Sequence, residues 1–386
     1  EWFFPKMLET LHKAPAIYDA TDVWLEAGDW FVWQLVSGPF PDCSPDDLPR
    51  STCQAGYKAC WNAETGYPSR EYLSAVDPKF GEVVRTKMPG RIVAPGQRAG
   101  HLTERAAARL GLPADVPVSA AIIDAHAGVP GAGVAGADTL VMVLGTSSCH
   151  MLNSRVEQLA PGVAGVVRDG ILPGLVGYET GQSSVGDAFA WVSRITGKSH
   201  DDLNRAALAL GPGSDGVLAI DWLNGCRTPL MDGRLSGALV GLTLTTRPEQ
   251  IYRAMIEATA MGVKWIVQTL RDGGVPVNAL VAAGGLPKKS PLLMQIYTDV
   301  LALPIDVAGS DEPVALGAAI LGASAAGIGS IAAPNRQIPP PPSPRSTPDP
   351  QRVAQYAKLD AQYRALTDPA GELARSMRAL RQTQKR

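Results

Sequence analysis

An α/β protein of layered sheet and helix is what the sequence predicts, on three observations. Short apolar runs of strand length recur, at Pro117 to Asp124, Thr139 to Leu144 and Ala279 to Ala283. Between them lie segments with helical spacing, the clearest placing Ile251, Met255, Ala258, Met261, Trp265 and Ile266 on one face. Strands therefore alternate with helices along the chain, as α/β layers require.

The first part of the chain, to about Gly136, opens with aromatic helical segments. Val23-Trp24-Leu25 and Trp30-Phe31-Val32-Trp33 read as core elements either side of a turn at Ala27-Gly28-Asp29. Pro39 to Pro49 is a loop rich in Pro and Asp. A turn at Pro95 to Gly100 precedes a helix opened by Thr103-Glu104, and Pro117 to Asp124 follows as a buried strand. The second part runs from about Ala137 to Ile331. Thr139 to Leu144 is a strand, and Gly181 to Asp187 leads into a helix containing Trp191. Ser236 to Leu244 reads as strand. Thr246-Arg247-Pro248-Glu249 fits a capping box for the helix that carries Ile251 to Ile266. The strand Ala279 to Ala283 ends in Gly284-Gly285, and Ser290-Pro291 supplies a cap with proline at the first helical position. That helix runs to about Leu301. Pro313 to Pro334 carries no charge over a bilayer's length, but its Gly, Ser and Ala content favours a buried helix followed by a loop. Residues 333 to 350 are Pro-rich and read as a linker rather than as a proline-motif ligand. Val353 to about Leu366 is one more helix, packing back on the second part.

At 386 residues the chain can bury two cores. Apolar content of 45%, charged content of 19% and a net charge of −2 describe an ordinary globular protein. No basic excess suits nucleic acid, and no acidic tail suits a basic partner. Cys43, Cys53, Cys60, Cys149 and Cys226 contain no C-x-x-C pair, so they read as reduced thiols of a cytoplasmic protein, not as disulfides or a zinc site. Glu1 to Lys6 lacks the pattern of a signal peptide, and the start without Met, inside folded-looking sequence, points to a fragment.

The chemistry concentrates in Ile122-Ile123-Asp124-Ala125-His126-Ala127-Gly128 and, some twenty residues on, Leu144-Gly145-Thr146-Ser147-Ser148. A carboxylate at a strand end can act as base on a hydroxyl, and a small-residue turn can hold phosphates with N–H groups and hydroxyls. Together they suggest phosphoryl transfer from a nucleotide to an alcohol, with carbohydrate favoured. Taken singly, Asp124 serves equally as a helix cap, Lys58 and Glu179 as solvated charges, and the Gly-Thr-Ser-Ser turn as an ordinary hairpin. His126 and His150 read as structural.

Several further stretches carry a resemblance: Glu1 to Lys6, Ala27-Gly28-Asp29-Trp30, Arg50-Ser51-Thr52-Cys53 with Gly56-Tyr57-Lys58-Ala59, Tyr178 to Ser183, Asp221-Trp222-Leu223-Asn224-Gly225, and Gly237 to Glu257. With the two stretches above, they resemble the FGGY carbohydrate kinases, and among these most of all the L-ribulokinases. The resemblance covers nearly all of residues 1 to 332. It implies an actin-like (ribonuclease H-like) ATPase duplication with a nucleotide cleft. It divides the chain into an N-terminal sugar-binding domain (1–136), a C-terminal nucleotide-binding domain (137–332), a linker (333–350) and a helical tail (351–386). It implies ATP and Mg²⁺ as cofactors and phosphorylation of L-ribulose at its 5-hydroxyl. By the same resemblance Asp124 is the base, and Lys58, Asp124 and Glu179 contact the ketose. Gly145, Thr146, Ser147 and Ser148 meet the phosphates, Gly186 is a further nucleotide contact, and Gly284, Gly285 and Ser290 form the adenosine loop. Asp311-Glu312-Pro313 and Gly317-Ala318-Ala319 connect the two halves. A homodimer is left open, and the metal ligands are unassigned. The family's Gly-x-Asp-x-Gly-Thr strand-turn, which grips phosphate and places Mg²⁺, is not in the sequence. The first domain is therefore expected to be incomplete, and the chain to bind nucleotide weakly without transferring phosphate. A kinase for another ketose or polyol (D-ribulose, xylulose, glycerol) and a non-catalytic nucleotide-binding module are the alternatives.

Overall fold

Seven strands form the central sheet: β1 (Thr139–Leu144), β2 (Ser148–Ser154), β3 (Gly165–Arg168), β4 (Val176–Gln182), β5 (Ala279–Ala283), β6 (Ile305–Val307) and β7 (Arg345–Ser346). Their order is β7-β6-β5-β1-β2-β4-β3. This is a computed structural model, and it describes residues 2–38, 43–329 and 344–383. β1, β5 and β6 run parallel, while β2, β4 and β3 continue the sheet antiparallel.

The apolar runs of β1 and β5 are unbroken because both faces of the sheet are covered. Leu140, Met142, Leu144, Leu280 and Ala282 enter one core, and Val141, Val281 and Ala283 enter the other. The first core is completed by α3 (Gly186–Thr196), α4 (His200–Ala207), α5 (Pro248–Asp272) and α6 (Pro291–Leu301). The second is completed by α1 (Thr52–Ala59), α2 (Asp124–Gly131) and α7 (Pro313–Ala325). The tail forms α8 (Pro350–Leu366) and α9 (Glu372–Thr383). α8 docks as expected: Tyr356 Oη donates to Glu257 at 2.9 Å, and Tyr363 Oη donates to Asp221 at 2.8 Å.

Glycine sets the contact between α2 and α7. A Cβ on Gly131 would stand 1.7 Å from the Pro313 carbonyl oxygen, and one on Gly317 would stand 1.7 Å from that of Ala127. The Ala/Gly composition of 313–325 therefore serves close helix packing, and no helix among the described residues is long and apolar enough to cross a membrane.

Four expectations are corrected. Ala27-Gly28-Asp29 is the first turn of a helix, Ala27–Val36, rather than a loop. Its Gly28 lies against the Gln54 side chain, with no room for a Cβ. On that helix Val32 and Trp33 are buried, whereas Trp30 and Phe31 are exposed. The strand expected over 117–124 is only Pro117–Ser119, and Asp124 starts a helix instead. The strand expected over 236–244 is Ala238–Val240. The cap of α5 is Arg247, whose N–H donates to Gln250 at 2.7 Å, while Thr246 Oγ1 accepts from the Thr243 N–H. The Pro339 to Pro342 run lies outside the described residues.

Candidate active site

Two groups of residues converge near the ends of β1 and β4. The first gathers Lys58, Asp124 and Glu179 from three elements. α1 is capped by Ser51, whose Oγ accepts from the Cys53 N–H at 3.1 Å, and it carries a half-buried Lys58 in its last turn. α2 begins at Asp124, which is exposed and accepts from the Ala125 N–H at 2.7 Å. Glu179 is buried mid-strand in β4, opposite Met151 of β2.

The Cys53 thiol lies between these elements. Burial pushes its pKa up; the Ile123 backbone bonds to it, and Glu179 and Lys58 both act on it electrostatically. Tyr57 stacks against His126 with ring centroids 4.4 Å apart, tying α1 to α2.

Glu179 is held as a charged carboxylate. Burial by itself would raise its pKa. The facing His126, with Nε2 3.4 Å from Oε2, and the Arg227 guanidinium, which donates to Oε1, outweigh that and hold it at about 2. A buried carboxylate is thus kept charged, able to accept from hydroxyl groups. Arg227 also borders a cleft of about 430 Å³ whose walls include Trp2, Lys6, Ser183, Asn224 and Met231.

The second group is built on the β1–β2 turn. The Gly186 N–H donates to the Gly145 carbonyl at 2.9 Å, and the Val185 and Asp187 N–H groups donate to Thr146 O at 3.0 and 3.1 Å. This pins the N-terminus of α3, an 11-residue helix, against the turn. These N–H groups are therefore engaged by the turn, and what the helix start offers an anion is its partial positive charge. Gly284 enters from β5 with φ of +99°, and a Cβ there would stand 2.6 Å from Leu144 O. Gly285 beside it has open space. Thr146 and Ser147 are exposed at the tip.

Among the residues expected at the nucleotide, Ser148 and Ser290 have side chains engaged within the protein. Ser148 is fully buried, with Oγ 3.1 Å from His150 Nε2 and donating to Gln182 at 3.2 Å. Burial depresses the His150 pKa to about 4, leaving a neutral imidazole there. Ser290 caps α6, accepting from the Leu293 N–H at 3.2 Å, and it donates to Asn204.

Residues 140–326 match the profile of the FGGY family of carbohydrate kinases, C-terminal domain. A ribulokinase of Bacillus licheniformis is 40% identical over 402 aligned positions, covering 99% of this chain and 71% of that protein. The chain belongs to the FGGY family of carbohydrate kinases. A ribulokinase of Mycolicibacterium smegmatis is 42% identical, covering 99% of the chain and 68% of that protein. The chain thus spans about seven tenths of the length of these relatives. Among solved structures, a xylulose kinase from Lactobacillus acidophilus superposes with a TM-score of 0.81 at 18% identity, over 97% of this chain and 73% of that one. A Plasmodium falciparum glycerol kinase with ADP superposes with a TM-score of 0.75 at 17% identity, over 94% and 71%. These likenesses carry the actin-like ATPase fold.

Sugar kinases of this family use ATP. The ribulokinase resemblance, drawn from Asp-Ala-His-Ala-Gly at 124–128, agrees with the relatives. Arg227 went unnoticed in the sequence. Its only signal is position, two residues after the Asp221–Gly225 stretch and in an otherwise nonpolar run.

Proposed function

We propose that this FGGY kinase phosphorylates L-ribulose on its 5-hydroxyl with ATP, and that Lys58, Asp124 and Glu179 form the ketose site. The observation that supports this reading is the meeting of three elements at Cys53: its thiol bonds the Ile123 backbone at the start of α2 and feels Lys58 of α1 and the charged, buried Glu179 of β4. Relatives called ribulokinase favour this ketose over xylulose or glycerol.

In this reading Lys58 donates to sugar hydroxyls and Glu179 accepts from them, fixing which hydroxyl approaches the turn. Asp124 accepts the proton of the 5-hydroxyl as its oxygen attacks the γ-phosphorus and ADP departs. Thr146 and Ser147 hold the phosphates at the positive end of α3, and Gly186 lets the start of that helix approach Gly145 closely. Gly284 and Gly285 leave a flat backbone surface for adenine, while Ser148 and Ser290 hold the two loops in place from within. Mg²⁺ would supply charge neutralisation on the phosphates. Among the described residues no three carboxylate, histidine or cysteine groups cluster, and the family's strand-turn that places the ion is not in these 386 residues, so no Mg²⁺ ligand is assigned.

We assign residues 1–136 to the sugar half, 137–332 to the nucleotide half and 351–386 to a tail that buttresses the latter, in a cytoplasmic enzyme. The Gly-x-Asp-x-Gly-Thr strand-turn of the family is not in these 386 residues. Ketose and nucleotide binding are therefore assigned to them, and turnover to a protein that also carries that strand-turn. Coupled ADP release with L-ribulose, D-ribulose, xylulose and glycerol tests the substrate. A preference for any of the other three would overturn the L-ribulose reading.

A further inference from the structure

We infer that Arg227 is a positioning residue for ketose capture, holding the Glu179 carboxylate charged and aimed while making no phosphate contact of its own. The inference rests on the reading of Glu179 as a ketose contact.

The geometry is specific. The two Glu179 oxygens are divided between elements: Arg227 Nη2 donates to Oε1, and His126 Nε2 of α2 stands 3.4 Å from Oε2. The other fork of the guanidinium lies 3.7 Å from Cys149 Sγ on β2. Gly181, two residues along β4, lies against the guanidinium: a Cβ there would stand 3.1 Å from Nη1, and 2.3 Å from the Ser148 carbonyl oxygen. Arg227 is mostly buried yet borders the 430 Å³ cleft. A planar fork can span both partners at once, which an ammonium cannot.

The remaining groups around Glu179 are Cys53 and Tyr57 on α1, both buried and both feeling its charge, and Tyr178 beside it in β4. Cys53 and Tyr57 are not cationic; Lys58, the cation of α1, acts with Glu179 on Cys53 and is present in every variant compared. Once Arg227 is removed, only His126 remains in contact to oppose the effect of burial, which favours the neutral acid. A protonated Glu179 accepts fewer hydroxyl bonds, so ketose affinity becomes dependent on pH.

The test is calorimetric titration of L-ribulose from about pH 5.5 to 8.5, with ¹³C carboxyl NMR of Glu179 assigned by its loss in Glu179→Gln. In the unaltered chain the Glu179 signal stays ionised throughout. Arg227→Ala should weaken L-ribulose binding about tenfold at the alkaline end and progressively more as pH falls, with ATP affinity unchanged. Arg227→Lys should restore the flat profile but only part of the affinity. His126→Gln in the Arg227→Ala background removes the remaining ring in contact with the carboxylate and should deepen the pH dependence further. Thermal melting identifies variants that fail to fold, and Arg227→Lys and NMR then decide the outcome. A loss equal at every pH, or a Glu179 signal that stays ionised in Arg227→Ala, overturns the positioning role while leaving the ketose reading intact. Unchanged L-ribulose affinity in Glu179→Gln overturns the ketose reading and this inference with it.

Discussion

Gly317→Ala should damage the protein from a position that touches no substrate. The added Cβ would lie 1.7 Å from the Ala127 carbonyl oxygen on α2, and Gly131 N would be 3.1 Å away. Contacts below 3.0 Å are essentially never seen, so the helices must part by about 1.3 Å or distort. Overpacking of this kind costs about 1–3 kcal/mol. Each kcal/mol corresponds to about 2–4 °C in melting temperature for a domain of this size. Gly322→Ala on the same helix is the control. A Cβ there meets nothing within 4 Å, so alanine should stabilise by about 0.4–1 kcal/mol by restricting the unfolded chain. The same chemical change thus has opposite signs five residues apart. Because Asp124 is the first residue of α2, the displaced helix should also misplace the base, costing about 100-fold in turnover. Thermal melts of the three proteins, with turnover measured wherever the protein is competent, check both effects. A Gly317→Ala protein that melts at or above Gly322→Ala would refute the packing argument.

In a protein that also carries the family's strand-turn, Asp124→Asn should keep ATP and L-ribulose binding, while turnover falls by about two to four powers of ten; near-normal turnover would remove Asp124 from the mechanism. Gly284→Ala forces a left-handed φ and a collision with Leu144 O, so ATP affinity should fall while ketose affinity holds, as calorimetry with each ligand would show. Burial raises the Asp29 pKa to about 7, against the lowering effects of the Ser51 N–H and Arg50. The folded state therefore holds that proton more tightly than the unfolded chain. This contribution is full below about pH 4 and is lost as pH rises through about 7. Asp29→Asn should flatten that decline in urea titrations across the same window, and an unchanged pH profile would show that Asp29 does not titrate there.

The parts of this fold written in local sequence were readable, and those written in contacts were not. β1 and β5 lie where their apolar runs predict, and the Ser290-Pro291 cap opens a helix ending at Leu301. Gly28 misled because glycine suggests a turn, whereas here it makes room for Gln54 inside a helix. The run before Asp124 looked like a strand because burial alone does not distinguish strand from helix over so short a stretch. Lys58, Asp124 and Glu179 were proposed from motifs; in the fold their elements meet around the Cys53 thiol, which bonds the Ile123 backbone and feels both Glu179 and Lys58. Neither the inward turn of Ser148 nor the Arg227–Glu179 pair has a local signal, because both depend on residues more than thirty positions apart.

The most direct measurement is calorimetric titration of L-ribulose, D-ribulose, xylulose and glycerol into the chain and into its Lys58→Ala and Glu179→Gln forms. L-ribulose should bind best of the four, and each substitution should weaken it by about 1.5–3 kcal/mol while ATP affinity stays the same. Equal binding of all four compounds, or L-ribulose affinity that survives both substitutions, would contradict a ketose site built from Lys58, Asp124 and Glu179.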